Sequence, residues 1–149
     1  MGKFTEHAMK ADSISMAYAE FNIGINDEEY EDPNNPGTVD TKTLLIDYLE
    51  PRMRRGDMRL AVSITPIHWY EAGYTGNSNS ERRGIHVLCR LGDCEWHGNG
   101  VDHERYFKLW RGEILEFVKG LMTHLRQNEA KVYFRGVNEE IVILESTWY

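Results

Sequence analysis

Residues 102 to 126, DHERYFKLWRGEILEFVKGLMTHLR, constrain the fold of this chain more than any other stretch. Phe107, Trp110, Ile114, Phe117, Leu121 and Leu125 recur at steps of three and four, flanked by Val118 and Met122, which is the spacing of one face of an α-helix. Lys108, Arg111, Glu113, Glu116, Lys119 and Arg126 fall on the other face. The pattern predicts one long amphipathic helix, with Asp102 as its N-cap, Glu104 in the first turn and Arg126 in the last. A stripe that wide has to be covered, so the rest of the chain must supply an apolar sheet or helix to lie against it.

What the rest supplies is mostly strand. Ser13 to Ile25 is small, aromatic or β-branched, as a strand should be, and runs into the acidic loop NDEEYEDPNNPG at 26–37. Asp40 is placed to cap a second helix over 41–50, whose apolar face is Leu44, Leu45, Tyr48 and Leu49 and which Pro51 and Gly56 should stop. Leu60, Val62 and Ile64 alternate with Arg59, Ala61, Ser63 and Thr65, the period of a half-buried strand, and Pro66 marks an edge or a bulge. Residues 71–84 are rich in Gly, Asn and Ser and read as a long loop. From Gly84, GIHVLCRL resumes a strand, and Gly92-Asp93 is expected to turn it into a hairpin over 85–97, setting Cys89 opposite Trp96 and Arg90 opposite Glu95. After the long helix, AKVYFRGVNEEIVILE reads as two closing strands turning near Asn138 and Glu139. The expected class is α+β: a mainly antiparallel sheet packed by one long helix over 102–126 and a shorter one over 41–50. The chain should form a single domain over 1–149, with a loosely ordered arm at 1–12.

The same residues narrow the function. With 24 acidic against 17 basic side chains, the net charge of −7 repels a phosphate backbone and favours protein partners over nucleic acid. No apolar run is long enough for a membrane, and the start of the chain lacks a secretory core, so a cytoplasmic setting is expected. Cys89, Cys94, His97 and His103 are the right donors for zinc, but the two thiols are too far apart for a metal knuckle and should both point into the core. His68 and His86 could pair across facing strands, yet no nucleophile elbow, phosphate loop or dinucleotide fingerprint accompanies them. Neither a cofactor nor a metal is called for. Trp69, Tyr70 and Tyr74 beside Arg82 and Arg83 have the composition of an interface, and Asp27, Glu28, Glu29, Glu31 and Asp32 could meet a basic protein. Trp148 and Tyr149 should dock on the core.

From Met58 onward, LAVSITPI, the loop around Tyr74-Thr75-Gly76, GIHVLCRL, the helix from Asp102, then VYFRG and IVILE are arranged as in phage tail terminator proteins, which this part of the chain resembles. In that layout the family's N-terminal helix corresponds to Thr41 to Glu50, and nothing corresponds to the segment before residue 40. The resemblance implies a non-enzymatic virion tail or neck component that assembles into a ring of like copies. The charge pattern leaves a second reading: an acidic immunity-type or anti-defence inhibitor that binds a basic protein.

Overall fold

The computed structural model describes residues 3–6, 16–25, 28–56, 58–71, 80–94 and 103–146. Five strands, β1 (Tyr18–Gly24), β2 (Val62–Glu71), β3 (Ser80–Arg90), β4 (Glu129–Arg135) and β5 (Glu140–Glu145), form an antiparallel sheet in the order β2-β3-β1-β4-β5. The helical segments are α1 (Thr41–Leu44), α2 (Glu50–Arg55) and α3 (His103–Leu125), with a π-turn at Leu45–Leu49 joining the first two. The α+β expectation is met.

α3 is the predicted long helix. All eight residues of its stripe are buried, against Ala19, Phe21, Ile23, Ile85, Val87, Cys89, Val132 and Phe134, the inward residues of β1, β3 and β4. Phe21 meets Phe117 edge-on at 6.0 Å and Phe134 meets Trp110 at 5.9 Å, the geometry that ring quadrupoles prefer. Apolar burial dominates the packing so far that the indole Nε1 of Trp110 is buried without a hydrogen-bond partner among the described residues. No helix among the described residues is long and apolar enough to cross a membrane. Asp102, the expected cap, lies outside the described residues, as do most of the arm at 1–12 and both Trp148 and Tyr149.

Several local expectations hold. Asp40 caps α1: its Oδ1 accepts from the amides of Lys42 and Thr43 at 3.1 and 3.2 Å. Its Oδ2 accepts from the Thr43 hydroxyl at 2.6 Å, and these bonds hold the carboxyl below its ordinary range. Leu60 is buried with Val62 and Ile64 packed beside it, β2 is an edge strand as Pro66 required, and Asn138 turns β4 into β5 at φ 51°.

Three expectations are corrected. The second helix does not stop at Pro51 but runs to Arg55 and ends at left-handed Gly56. The π-turn explains the difference: Glu50 N–H reaches back to Leu45 C=O, and Pro51, with no N–H to give, enters as a first-turn residue of α2. The hairpin over 85–97 does not form as written. Both edges of β3 are already taken, Cys89 pairing with Ala19 on one side and Val62 on the other, so no edge remains for Trp96. Leu91–Asp93 is a 3-10 turn instead, Arg90 lies opposite Tyr18, and Glu95 and Trp96 fall outside the described residues. Finally, β2 and β3 reach into the stretch read as a loop over 71–84, pairing His68 with Arg83, Trp69 with Arg82, Tyr70 with Glu81 and Glu71 with Ser80.

Candidate functional site

Strand alternation decides what the sheet shows on its other face. With Ala19, Phe21 and Ile23 under α3, the side chains of Tyr18, Glu20 and Asn22 must point away from it. The register then aligns three rows across the open face. Arg90, Tyr18 and Arg135 form the first. Ser63, Leu88, Glu20, Tyr133 and Ile141 form the second, and Thr65, His86 and Asn22 the third.

Glu20 is the hub of these rows. Its Oε1 accepts from Arg135 Nε at 2.9 Å and its Oε2 lies 3.3 Å from His86 Nε2. The Arg135 guanidinium in turn sits over the Tyr133 ring, 5.0 Å from its centroid. These groups, with Phe21 and Asn22, line a cavity of about 140 Å³. The Asn22 amide has no hydrogen-bond partner among the described residues. Glu20, His86 and Arg135 are 29%, 32% and 41% exposed, and ion pairs that wet contribute only about 0–1 kcal/mol each. Stability therefore gives little reason to place Glu and Asn in the middle strand of a sheet, where both are disfavoured. A surface that offers one carboxylate, one guanidinium, an imidazole, a phenol ring and an uncommitted amide has groups for both charge signs and for an aromatic part of a ligand, of which a cavity of about 140 Å³ encloses only a portion.

Among the described residues, the aromatic and basic positions singled out from the sequence lie on the β2–β3 pair and the acidic ones on the loop at 28–32. Trp69 and Arg82 face each other across the β2–β3 pair, and Arg83 leaves them to bind Glu31 at 3.1 Å. Tyr70 lies in β2 opposite Glu81, while Tyr74 is outside the described residues. Of the five acids, Asp27 is also outside them, and Glu28 and Glu29 are exposed on a 3-10 turn at Glu28–Tyr30. The other two hold the loop together: Glu31 Oε1 accepts from Gly37 N at 3.3 Å and Asp32 Oδ1 from Asn34 N at 2.8 Å. His68 and His86 are not a couple. His68 pairs with Arg83 and His86 with Thr65, three positions apart along β2, so they occupy opposite faces.

Both thiols are buried, as the sequence required, with Cys94 Sγ donating to the Arg90 carbonyl oxygen at 3.3 Å. No group of three metal-binding side chains gathers among the described residues; His97 lies outside them. Burial, and secondarily the neighbouring Cys94, pushes the Cys89 thiol up to about 12. At pH 8 that leaves about one thiolate in ten thousand. Ellman's reagent should therefore leave Cys89 unmodified in the native protein over hours, and label it at once in guanidinium. Rapid native labelling at Cys89, mapped by mass spectrometry, would contradict the burial.

Sequence reading missed Glu20, Asn22, Tyr133 and Arg135. The signal was there: YAEFNIG places a polar or amphipathic residue at every second position of what is otherwise a buried strand, and Tyr133 and Arg135 repeat the pattern in KVYFR.

No family description and no curated protein sequence matches the chain. Two solved structures do match in fold. A phage SAM lyase in its apo state superposes with a TM-score of 0.57 at 14% identity, over 96% of this chain and 99% of that one. A phage SAM lyase in complex with S-methyl-5'-thioadenosine gives 0.58 at 15% identity over the same shares. At that identity the likeness establishes the fold over nearly the full length of both chains. It overturns the tail terminator reading, and with it the expectation of a non-enzymatic virion component: the fold neighbours are enzymes, and no tail terminator is among them.

Proposed function

We propose that this chain binds S-adenosylmethionine on the open face of its sheet and cleaves it as a lyase, acting in the cytoplasm of a phage-infected host. The observation that carries the reading is the Glu20 hub, with Arg135, His86 and Tyr133 around one cavity, on a fold shared with a SAM lyase.

The ligand and the site are complementary part by part. S-adenosylmethionine carries a sulfonium and an ammonium, a carboxylate and an adenine. Glu20 answers the cationic end, Arg135 the carboxylate, and Tyr133 offers a ring face to the sulfonium. The internal Glu20–Arg135 pair can thus be exchanged for two pairs with the ligand, so that neither charge is left unpartnered on binding.

Cleavage needs no water and no redox partner. The ligand's own carboxylate oxygen attacks Cγ of its methionine chain, the Cγ–S bond breaks, and its electron pair passes to sulfur. Sulfur goes from sulfonium to neutral thioether, giving S-methyl-5'-thioadenosine, while the four-carbon amino acid closes to a lactone that keeps its ammonium. The overall charge is unchanged and no proton moves. Arg135 holds the attacking carboxylate beside Cγ, a positional task worth far more than a single contact. Glu20 keeps the sulfonium in place.

Incubating the purified chain with S-adenosylmethionine, then separating products by chromatography and mass spectrometry, tests this directly. Equal amounts of S-methyl-5'-thioadenosine and the four-carbon lactone, or its hydrolysis product, are expected. Recovery of the substrate intact, together with no measurable binding of S-methyl-5'-thioadenosine, would remove the proposal.

A further inference from the structure

The ionic hub accounts for the amino acid and sulfonium parts of the ligand and leaves the base without a reader. Resting on the function proposed above, we infer that Asn22 selects adenine, its side-chain amide donating to N7 and its carbonyl accepting from the N6 amino group.

Three observations converge on this residue. Asn22 lines the same cavity of about 140 Å³ as Glu20, His86, Tyr133 and Arg135. Its amide makes no hydrogen bond among the described residues, whereas His86 and Arg135 are each engaged with Glu20. It also sits within β1, paired with His86 of β3, where asparagine is a poor choice on propensity alone. A residue that breaks a local rule without an internal partner marks a place where the fold serves something outside itself.

The spacing fits as well. Asn22 and Glu20 are two residues apart on one strand and share a face, so their side chains leave the backbone about 7 Å apart. One ribose separates sulfur from base over a comparable span, so a sulfonium held at Glu20 brings the purine edge to Asn22. An amide has one acceptor and one donor side by side, which matches the N6–H and N7 pair of adenine. Hypoxanthine presents O6 and N7, two acceptors, against which the amide carbonyl is left facing oxygen. A good bidentate contact of this kind discriminates by roughly tenfold to a hundredfold.

Calorimetric titration of the full chain with S-methyl-5'-thioadenosine and with its 6-oxo counterpart, 5'-methylthioinosine, reads this out without turnover. The wild type should bind the adenine compound at least about tenfold tighter. Asn22→Ala should weaken adenine binding and bring the two affinities together, whereas Asn22→Asp, which keeps the acceptor for N6–H but sets a second oxygen against N7, should weaken adenine binding and retain the preference over the 6-oxo compound. Equal affinities in the wild type, or a preference that survives Asn22→Ala, would overturn the inference while leaving the lyase reading intact. Failure of both compounds to bind would overturn the inference, and would end the lyase reading as well only where S-adenosylmethionine is also recovered intact. Circular dichroism of each variant separates a lost contact from a lost fold, and Asn22 is exposed, so the fold should persist.

Discussion

Glu20→Gln is expected to lower kcat/KM for S-adenosylmethionine by about a hundredfold to a thousandfold, the range seen when a single preorganised electrostatic group is removed from a reacting centre. The substitution keeps the shape of the side chain and its capacity to accept from Arg135 Nε, now 2.9 Å away, but removes the charge that faces a sulfonium. The loss should be far larger for the charged substrate than for the neutral product. S-methyl-5'-thioadenosine carries no cation, so its affinity should change by no more than about threefold, much less than the roughly tenfold step that one charge-assisted contact is worth. Stability should hardly move: the carboxylate is 29% exposed, and each of its two pairs contributes about 1 kcal/mol at most. For a domain of this size that is a shift in Tm of only a few degrees. Steady-state kinetics beside a thermal melt decide the matter. Turnover within a factor of three of the wild type would show that Glu20 does not meet the substrate. A melt lowered by many degrees would instead show a structural role.

Parts of the molecule that depend on near neighbours were legible in the sequence, and those that depend on distant ones were not. The stripe of α3 follows from residues three and four apart, and the Asp40 cap from bonds spanning two or three residues, so both could be read directly. The hairpin over 85–97 was locally sound and failed for a non-local reason: β1, contributed by residues far upstream, fills the edge of β3 that the hairpin needed. The site failed to show for the same reason. Arg135 and Glu20 lie 115 positions apart and His86 and Glu20 lie 66 apart, and only the order β3-β1-β4 brings the three together. Each alone reads as a charged residue on a strand. The acidic run after Ile25 drew notice by composition, yet Glu31 and Asp32 are spent on closing their own loop. Clustering in sequence marked charges that the loop itself uses, and alternation within a buried strand marked those on the open face of the sheet.

Gly84→Ala is the substitution expected to cost the fold most per atom added. Gly84 pairs with Gly24 on β1 and with Ile67 on β2, inside the sheet. A Cβ placed there would fall within the contact radius of the Ile23 carbonyl oxygen and 2.9 Å from the Gly24 Cα. Both obstacles are backbone, so no rotamer change relieves them, and the β1–β3 ladder must spread or slip. Overpacking usually costs about 1–3 kcal/mol. Here the strain falls on the pair of strands that carry the core residues Phe21, Ile23, Ile85 and Val87, so about 3 kcal/mol or more is expected, or roughly 6–12 °C in Tm. Denaturant unfolding measures it, and a change below about 0.5 kcal/mol would mean the strands have room that their geometry does not show. The effect should reach the site as well. Gly84 precedes His86 by two residues on the same face, and the ladder they share is what sets His86 opposite Asn22 and beside Glu20. Turnover per folded molecule, assayed well below the melting range, should therefore fall along with stability. A core defect far from β3 that lowered Tm equally should leave that turnover unchanged, which separates damage to the register from damage to the fold at large.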